Sequence, residues 1–310
     1  MTIKPSFTSL ASLALASLLS LSTPSCAQSA QDEATTKEPA TVLLVAGQSN
    51  ADGRVSNADL PNSIKENGYR HCHWSYGSGD ISGGGHFEPF WPRISKKGNS
   101  EKWGFDAVVY HCLDQKATQD FYVIKETLGG TAIDPSCNST YGMHWSADPE
   151  YLADNKAADK GGKSLLKAFT DNIGACIDNE LSKLPNGYKI KAFIWHQGES
   201  DKTKADNYFD NLKALVAYVR NYLAQKTGDS NYERLTFICG SFSSASRDRR
   251  QAVVDAQLRL AQEDNNFHVV DASDASLLPD KIHFDAAGAE LLGQRIYEKL
   301  IETTGIGNPE

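Results

Sequence analysis

Residues Thr41-Val42-Leu43-Leu44-Val45-Ala46 form an unbroken apolar run that stops at Gly47-Gln48-Ser49-Asn50. A short, β-branched run bounded by glycine has the pattern of a strand buried on both faces, which places it in the middle of a parallel sheet covered by helices. Sites in such folds form at the carboxyl ends of the strands, so Ser49 stands where a nucleophile would be presented.

Further apolar runs follow, alternating with helical spacing. Phe121–Lys125, Ile190–Trp195, Leu235–Gly240 and Phe267–Asp271 read as strands. Helices are expected from Gly104, over Lys163–Leu184, Asp206–Lys226 and Arg249–Glu263, and from Phe284 to Ile301 with Asp285 as N-cap. This alternation predicts an α/β fold, a three-layer α/β/α arrangement of the flavodoxin-like kind around a parallel sheet of about five strands. The stretch from Ala51 to Lys102 reads as one long irregular segment lining a site mouth, with Trp74, Phe87, Phe90, Trp91 and Trp103 as candidate sugar-stacking faces.

Residues 1–27 read as a signal peptide, with Lys4 ahead of an apolar stretch over 10–21 and Ser25-Cys26-Ala27 as the cleavage region. Residues 28–40 read as a disordered leader and 41–305 as a single domain. Export to the periplasm or medium is the expectation, with lipid anchoring through Cys26 the lesser alternative because Thr23-Pro24-Ser25 lacks an aliphatic residue. The apolar stretch is too short for a membrane span. A net charge of −8 weighs against nucleic acid as a partner, since phosphate binding needs clustered cations. Beyond Cys26, five cysteines are widely spaced, and their odd number leaves at least one thiol unpaired.

Four polar segments would meet at one sheet edge: Gly47-Gln48-Ser49-Asn50, Leu128-Gly129-Gly130-Thr131, His196-Gln197-Gly198-Glu199 and Asp280-Lys281-Ile282-His283. Together they offer every part of an acyl-transfer site. Ser49 is the candidate nucleophile, His283 the base and Asp280 the group that orients it. The Ser49 and Gly129 backbone N–H groups and the Gln197 side-chain amide are the candidate oxyanion donors. His196 is expected to pack beneath the site rather than act as base.

These four blocks, with the third extended as Trp195-His196-Gln197-Gly198-Glu199-Ser200-Asp201, resemble those of SGNH-type hydrolases. More narrowly, they resemble the carbohydrate esterases grouped with sialate O-acetylesterases and family 6 acetylxylan esterases. The resemblance implies serine catalysis by Ser49, Asp280 and His283 with no metal or cofactor, supporting roles for Asn50 and Glu199, and an acetylated carbohydrate as substrate. Two positions depart from the usual pattern. Ala51 stands where a methionine is common, and Gln197 replaces the asparagine of ordinary SGNH enzymes, which suits the carbohydrate-esterase branch. The single-domain form favours acetylated xylan or a related plant polysaccharide, with O-acetylated sialic acid as the alternative. An inactive exported carbohydrate-binding protein and an SGNH lipase or thioesterase are the rivals.

Other motifs carry less. Gly161-Gly162-Lys163-Ser164 lacks the earlier glycine of a P-loop, and Gly-x-Ser-x-Gly does not occur. His71-Cys72-His73 has no second ligand pair nearby. Asn138-Ser139-Thr140 is a glycosylation sequon only in a host that uses it.

Overall fold

The computed structural model describes residues 38–78, 83–94, 100–153 and 164–306. The signal-peptide reading, the leader before residue 38, and Gly161–Lys163 lie outside the described residues.

The principal sheet has seven strands: β1 (Ala40–Gly47), β2 (Cys72–Gly77), β3 (Glu88–Pro89), β4 (Phe121–Thr127), β5 (Tyr188–His196), β6 (Thr236–Gly240) and β7 (Phe267–Val270). Their spatial order is β3-β2-β4-β1-β5-β6-β7. All neighbours run parallel except β3, which pairs antiparallel with β2 at one edge. Five strands match the sequence expectation. The other two, β2 and β3, lie within the stretch from Ala51 to Lys102 that was expected to be irregular. A polar and aromatic strand such as Cys-His-Trp-Ser-Tyr-Gly lacks the aliphatic run that betrays a buried strand. A small separate ladder pairs Val55–Ser56 with Lys102–Trp103.

Alternate residues of β1 feed two cores. Val42, Leu44 and Ala46 pack toward α2 (Leu165–Asn179), α3 (Tyr208–Thr227) and α4 (Gln251–Glu263). Leu43 and Val45 pack toward α1 (Phe105–Asp114) and α5 (Ala286–Thr304). This produces the three layers, and each fully buried valine or leucine contributes about 1.5–3 kcal/mol. Asp285 caps α5 by accepting a hydrogen bond from Gly288 N at 2.9 Å. None of the described helices is long and apolar enough to cross a membrane. The five cysteines at 72, 112, 137, 176 and 239 are free thiols.

The connections position the site. The chain leaves β1 toward β2 on one side of the sheet and leaves β5 toward β6 on the other, so the carboxyl ends of these two adjacent strands flank a switch in direction. A register shift opposite Val42 and Leu43 skips Lys191 and brings Gly47 level with His196. There the strands approach closely: Gln48 N donates to His196 O at 3.1 Å. Gly47 adopts φ +146°, and a Cβ at this position would lie 2.1 Å from His196 O. Only glycine allows the chain to turn so near its neighbour.

Gly47→Ala is therefore expected to destabilise the fold by about 3 kcal/mol, from backbone strain and steric overlap together. Urea denaturation of wild type and variant checks it, and an unchanged midpoint would contradict this account.

Candidate active site

Ser49 begins a one-turn helix, Ser49–Asp52, directly after β1 and is almost wholly buried. Its Oγ lies 2.9 Å from His283 Nε2. The other ring nitrogen of His283, Nδ1, lies 2.6 Å from Asp280 Oδ2. Asp280 also accepts the backbone N–H of Ile282 at 2.9 Å and of His283 at 3.0 Å. Partial burial opposes ionisation of Asp280, but these two backbone donors and the imidazole outweigh it and bring its pKa down to about 2. A carboxylate so held stays ionised and accepts a hydrogen bond from Nδ1–H, which leaves Nε2 to face the hydroxyl as acceptor.

The imidazole reaches Ser49 because Asn50 ties its loop down. Asn50 Nδ2 donates to Ile282 O at 3.2 Å, and Asn50 Oδ1 accepts Phe284 N at 3.1 Å, bracketing His283 on both sides. The same Nδ2 donates to Glu199 Oε1 at 2.8 Å. Burial works against the charge on Glu199, yet the neighbouring His196 and the Asn50 donor more than offset it, so its carboxyl titrates below the ordinary range. His196 is completely buried, with its ring against Phe105, Phe242 and Phe284, and it sits beneath the site.

Gly129 follows β4, in a loop fixed by Leu128 N donating to Gly47 O and by Thr140 Oγ1 donating to Gly129 O. A Cβ on Gly129 would lie 2.3 Å from Arg54 Nη2 and 3.4 Å from Ser49 Cβ, so glycine is required for this approach. The backbone N–H groups of Ser49 and Gly129 have no protein acceptor among the described residues and are available for a developing oxyanion. Arg54 is held by Asp52, whose other oxygen accepts Tyr76 Oη at 2.8 Å and Thr127 Oγ1 at 2.9 Å.

Gln197 departs from the sequence expectation. Its side chain is fully buried, and its Nε2 donates to Asp201 Oδ2 at 2.6 Å, Thr131 O at 2.9 Å and Gln48 Oε1 at 3.2 Å. With its hydrogens already engaged, the amide has none left for a substrate. Its place is in the wall behind the loop.

A cavity of about 740 Å³ opens over Ser49 and His283. Most of the residues around it carry polar side chains, including Gln48, Asn138, Thr140, Ser200 and Thr203, with Ile94, Leu128 and Ile282 as its aliphatic members. None of the aromatics expected to stack on sugar lines it. Trp74, Phe90 and Trp103 are core residues, Phe87 packs on Tyr122, and Trp91 is exposed away from it. The aromatic at the cavity is Tyr141, 70% exposed and held at φ +55°. Sequence reasoning passed it over, although its place in a Gly-, Ser- and Thr-rich loop beside the Gly129 block was a usable signal.

Residues 157–302 match the model of a protein family described as carbohydrate esterase, sialic acid-specific acetylesterase. Over this stretch, just under half of its length, the chain matches a carbohydrate esterase. The matched stretch contains Gln197, Glu199, Asp280 and His283, and Ser49 precedes it. The esterase shares its fold with several solved proteins. A protein from Arabidopsis thaliana is 19% identical, with a TM-score of 0.63 over 86% of this chain and 99% of that one. NanS is 14% identical, with a TM-score of 0.59 over 86% and 98%. XAC1771, a carbohydrate acetylesterase from Xanthomonas citri, is 16% identical with a TM-score of 0.53; the alignment covers 85% of this esterase and 56% of that longer chain. A search of curated protein sequences returns no match.

Two outcomes are expected from this geometry. Asn50→Ala leaves the Glu199 carboxylate and Phe284 N without their partner, so it should cost about 2–4 kcal/mol in urea denaturation and lower ester hydrolysis through a loosened His283. A variant as stable and as active as wild type would contradict it. For Asp280, the folded pKa lies below the unfolded value of 3.8. Its contribution to stability is therefore present above pH about 4 and lost as pH falls through about 2. The stability gap between wild type and Asp280→Asn should narrow across that window on acid titration.

Proposed function

We propose that this esterase removes O-acetyl groups from carbohydrate by a serine mechanism, with Ser49 as nucleophile. The observation that carries the reading is the continuous line Ser49 Oγ, His283 and Asp280 opening into a polar cavity beside two free backbone donors. Ser49 Oγ attacks the acetyl carbonyl and passes its proton to His283 Nε2. The N–H groups of Ser49 and Gly129 hold the resulting oxyanion. Collapse expels the sugar oxygen, which takes the proton from His283, and leaves an acetyl group on Ser49. Water, deprotonated by His283, attacks this ester; acetate departs and Ser49 recovers its proton. Asp280 fixes the imidazole throughout and stabilises its charged form.

The many polar side chains around the cavity support a hydroxyl-rich alcohol as the acyl carrier. Tyr141 supplies a face on which a sugar ring can stack. We favour acetylated xylan or a related plant polysaccharide as substrate. O-acetylated sialic acid is the second reading, favoured by the description of the matched family. The N-terminal segment supports export of the enzyme from the cytoplasm.

Acetate release from acetylated xylan and from O-acetylated sialic acid, measured for wild type and Ser49→Ala in parallel, tests both points. Release abolished in the variant is expected, and the better substrate identifies the glycan class. Hydrolysis that survives Ser49→Ala would overturn the mechanism.

A further inference from the structure

Arg54 lies shortly after the nucleophile in the chain and lines the same cavity. A guanidinium has five N–H groups, and here they divide in two. Those on Nη1 go to Asp52 Oδ2 at 2.7 Å and to Gly53 O at 2.6 Å. Those on Nε and Nη2 have no acceptor among the described residues. These two nitrogens share one edge of the planar group, and their parallel N–H bonds are spaced to meet both oxygens of a carboxylate. Nη2 stands beside Gly129, on the side that Ser49 also approaches: a Cβ on Gly129 would lie 2.3 Å from Arg54 Nη2 and 3.4 Å from Ser49 Cβ. The guanidinium is thus within the width of a sugar ring of the nucleophile.

The surroundings fix this edge and leave its charge open to a ligand. The Asp52 side chain is 6% exposed, and its second oxygen accepts Tyr76 Oη at 2.8 Å and Thr127 Oγ1 at 2.9 Å, so the anchor of Arg54 cannot swing away. Arg54 keeps 20% of its side chain exposed. Lys202, the other lysine or arginine around the cavity, is paired with Asp248 at 2.8 Å. Glu199 is turned to Asn50. Beside the lining residues Asp248 and Ile282 stand Arg247 and Lys281, both exposed, with Arg247 N donating to Lys281 O at 2.9 Å. Neither has an acidic partner among the described residues, although the chain carries a net charge of −8. Unpaired cations therefore collect at the mouth of an otherwise acidic protein.

Resting on the deacetylation reading above, we infer that the Nε and Nη2 edge of Arg54 is a carboxylate subsite, which makes the enzyme selective for acetylated sugars that carry an acid group of their own. Uronic and sialic acids share that group. Because Asp52 and Gly53 already hold the guanidinium, little ordering is left to be done when the ligand binds. A lysine has no second edge and cannot serve the anchor and both carboxylate oxygens at once.

The test measures acetate release by the whole enzyme from two matched pairs: an O-acetylated glucuronic acid glycoside with its methyl ester, and O-acetylated sialic acid with its methyl ester. Each methyl ester keeps the sugar's hydroxyl groups and removes the charge. Wild type, Arg54→Gln and Arg54→Lys are compared, with Ser49→Ala as control and melting curves for all. In wild type, kcat/KM for the acid should exceed that for its methyl ester by about tenfold to a hundredfold in at least one pair, as for hydrogen bonds to a charged group, with most of the difference in KM. The pair that shows it identifies the sugar acid. Arg54→Gln should bring the ratio close to one, and Arg54→Lys should keep only a small part of it. The ratio compares two substrates in one protein, so a variant that is merely less stable leaves it unchanged. Equal wild-type rates on acid and methyl ester in both pairs would overturn the inference, as would a preference that survives in Arg54→Gln. A wild type that releases no acetate from any of the four, or release that persists in Ser49→Ala, would strike the deacetylation reading and the subsite with it. Equal rates that vanish in Ser49→Ala would strike only the role of Arg54.

Discussion

The Asn50 carboxamide is the joint on which the active site depends. Its nitrogen reaches Glu199 and Ile282 O, and its oxygen receives Phe284 N, so one side chain fastens the turn after β1 to the loops that follow β5 and precede α5. These loops come from distant parts of the chain, and no local preference brings them together. Buried amide bonds to a carboxylate and to backbone groups are directional and costly to leave unmade, so they set distances where apolar packing sets only proximity. The 2.9 Å separation of Ser49 Oγ from His283 Nε2 follows from this joint rather than from either residue alone.

Backbone strain lies around the same cavity. Among the described residues, the only non-glycine positions at positive φ are Tyr141 and Lys281. Tyr141 follows Thr140, which is bonded to the Gly129 carbonyl. Lys281 sits between Asp280 and His283, with its N–H bonded to Leu278 O and its carbonyl accepting Arg247 N. Such conformations cost about 1–3 kcal/mol each and survive where surrounding bonds over-determine them. In one place the strain turns His283 toward Asp280 and Ser49; in the other it holds an aromatic ring out over the cavity.

The polar groups beside Ser49 divide along similar lines. The backbone N–H groups of Ser49 and Gly129 are placed by glycine-dependent approaches, at Gly47 and Gly129. The side-chain amides of Gln197 and Gln48 are linked in series, so the loop that follows β5 is tied to the turn that follows β1. Their order depends on which carbonyl oxygen collects the surrounding N–H groups, and that is settled by the Gly198 and Ser200 backbone.

The sequence by itself determined the layered α/β scaffold, because aliphatic runs and helical periodicity report burial directly, and those five strands stand where the runs predict. It also marked the four blocks, since a serine, a histidine and a carboxylate at strand ends carry their chemistry in their names. Only the tertiary structure decided what each polar or aromatic side chain faces. Trp74, Phe90 and Trp103 went to the core while Tyr141 went to the cavity, and Gln197 turned inward onto Thr131 and Asp201. The physical reason is that exposure and hydrogen-bond partners belong to pairs of segments far apart in the chain, and such pairings leave no periodic trace in the order of residues.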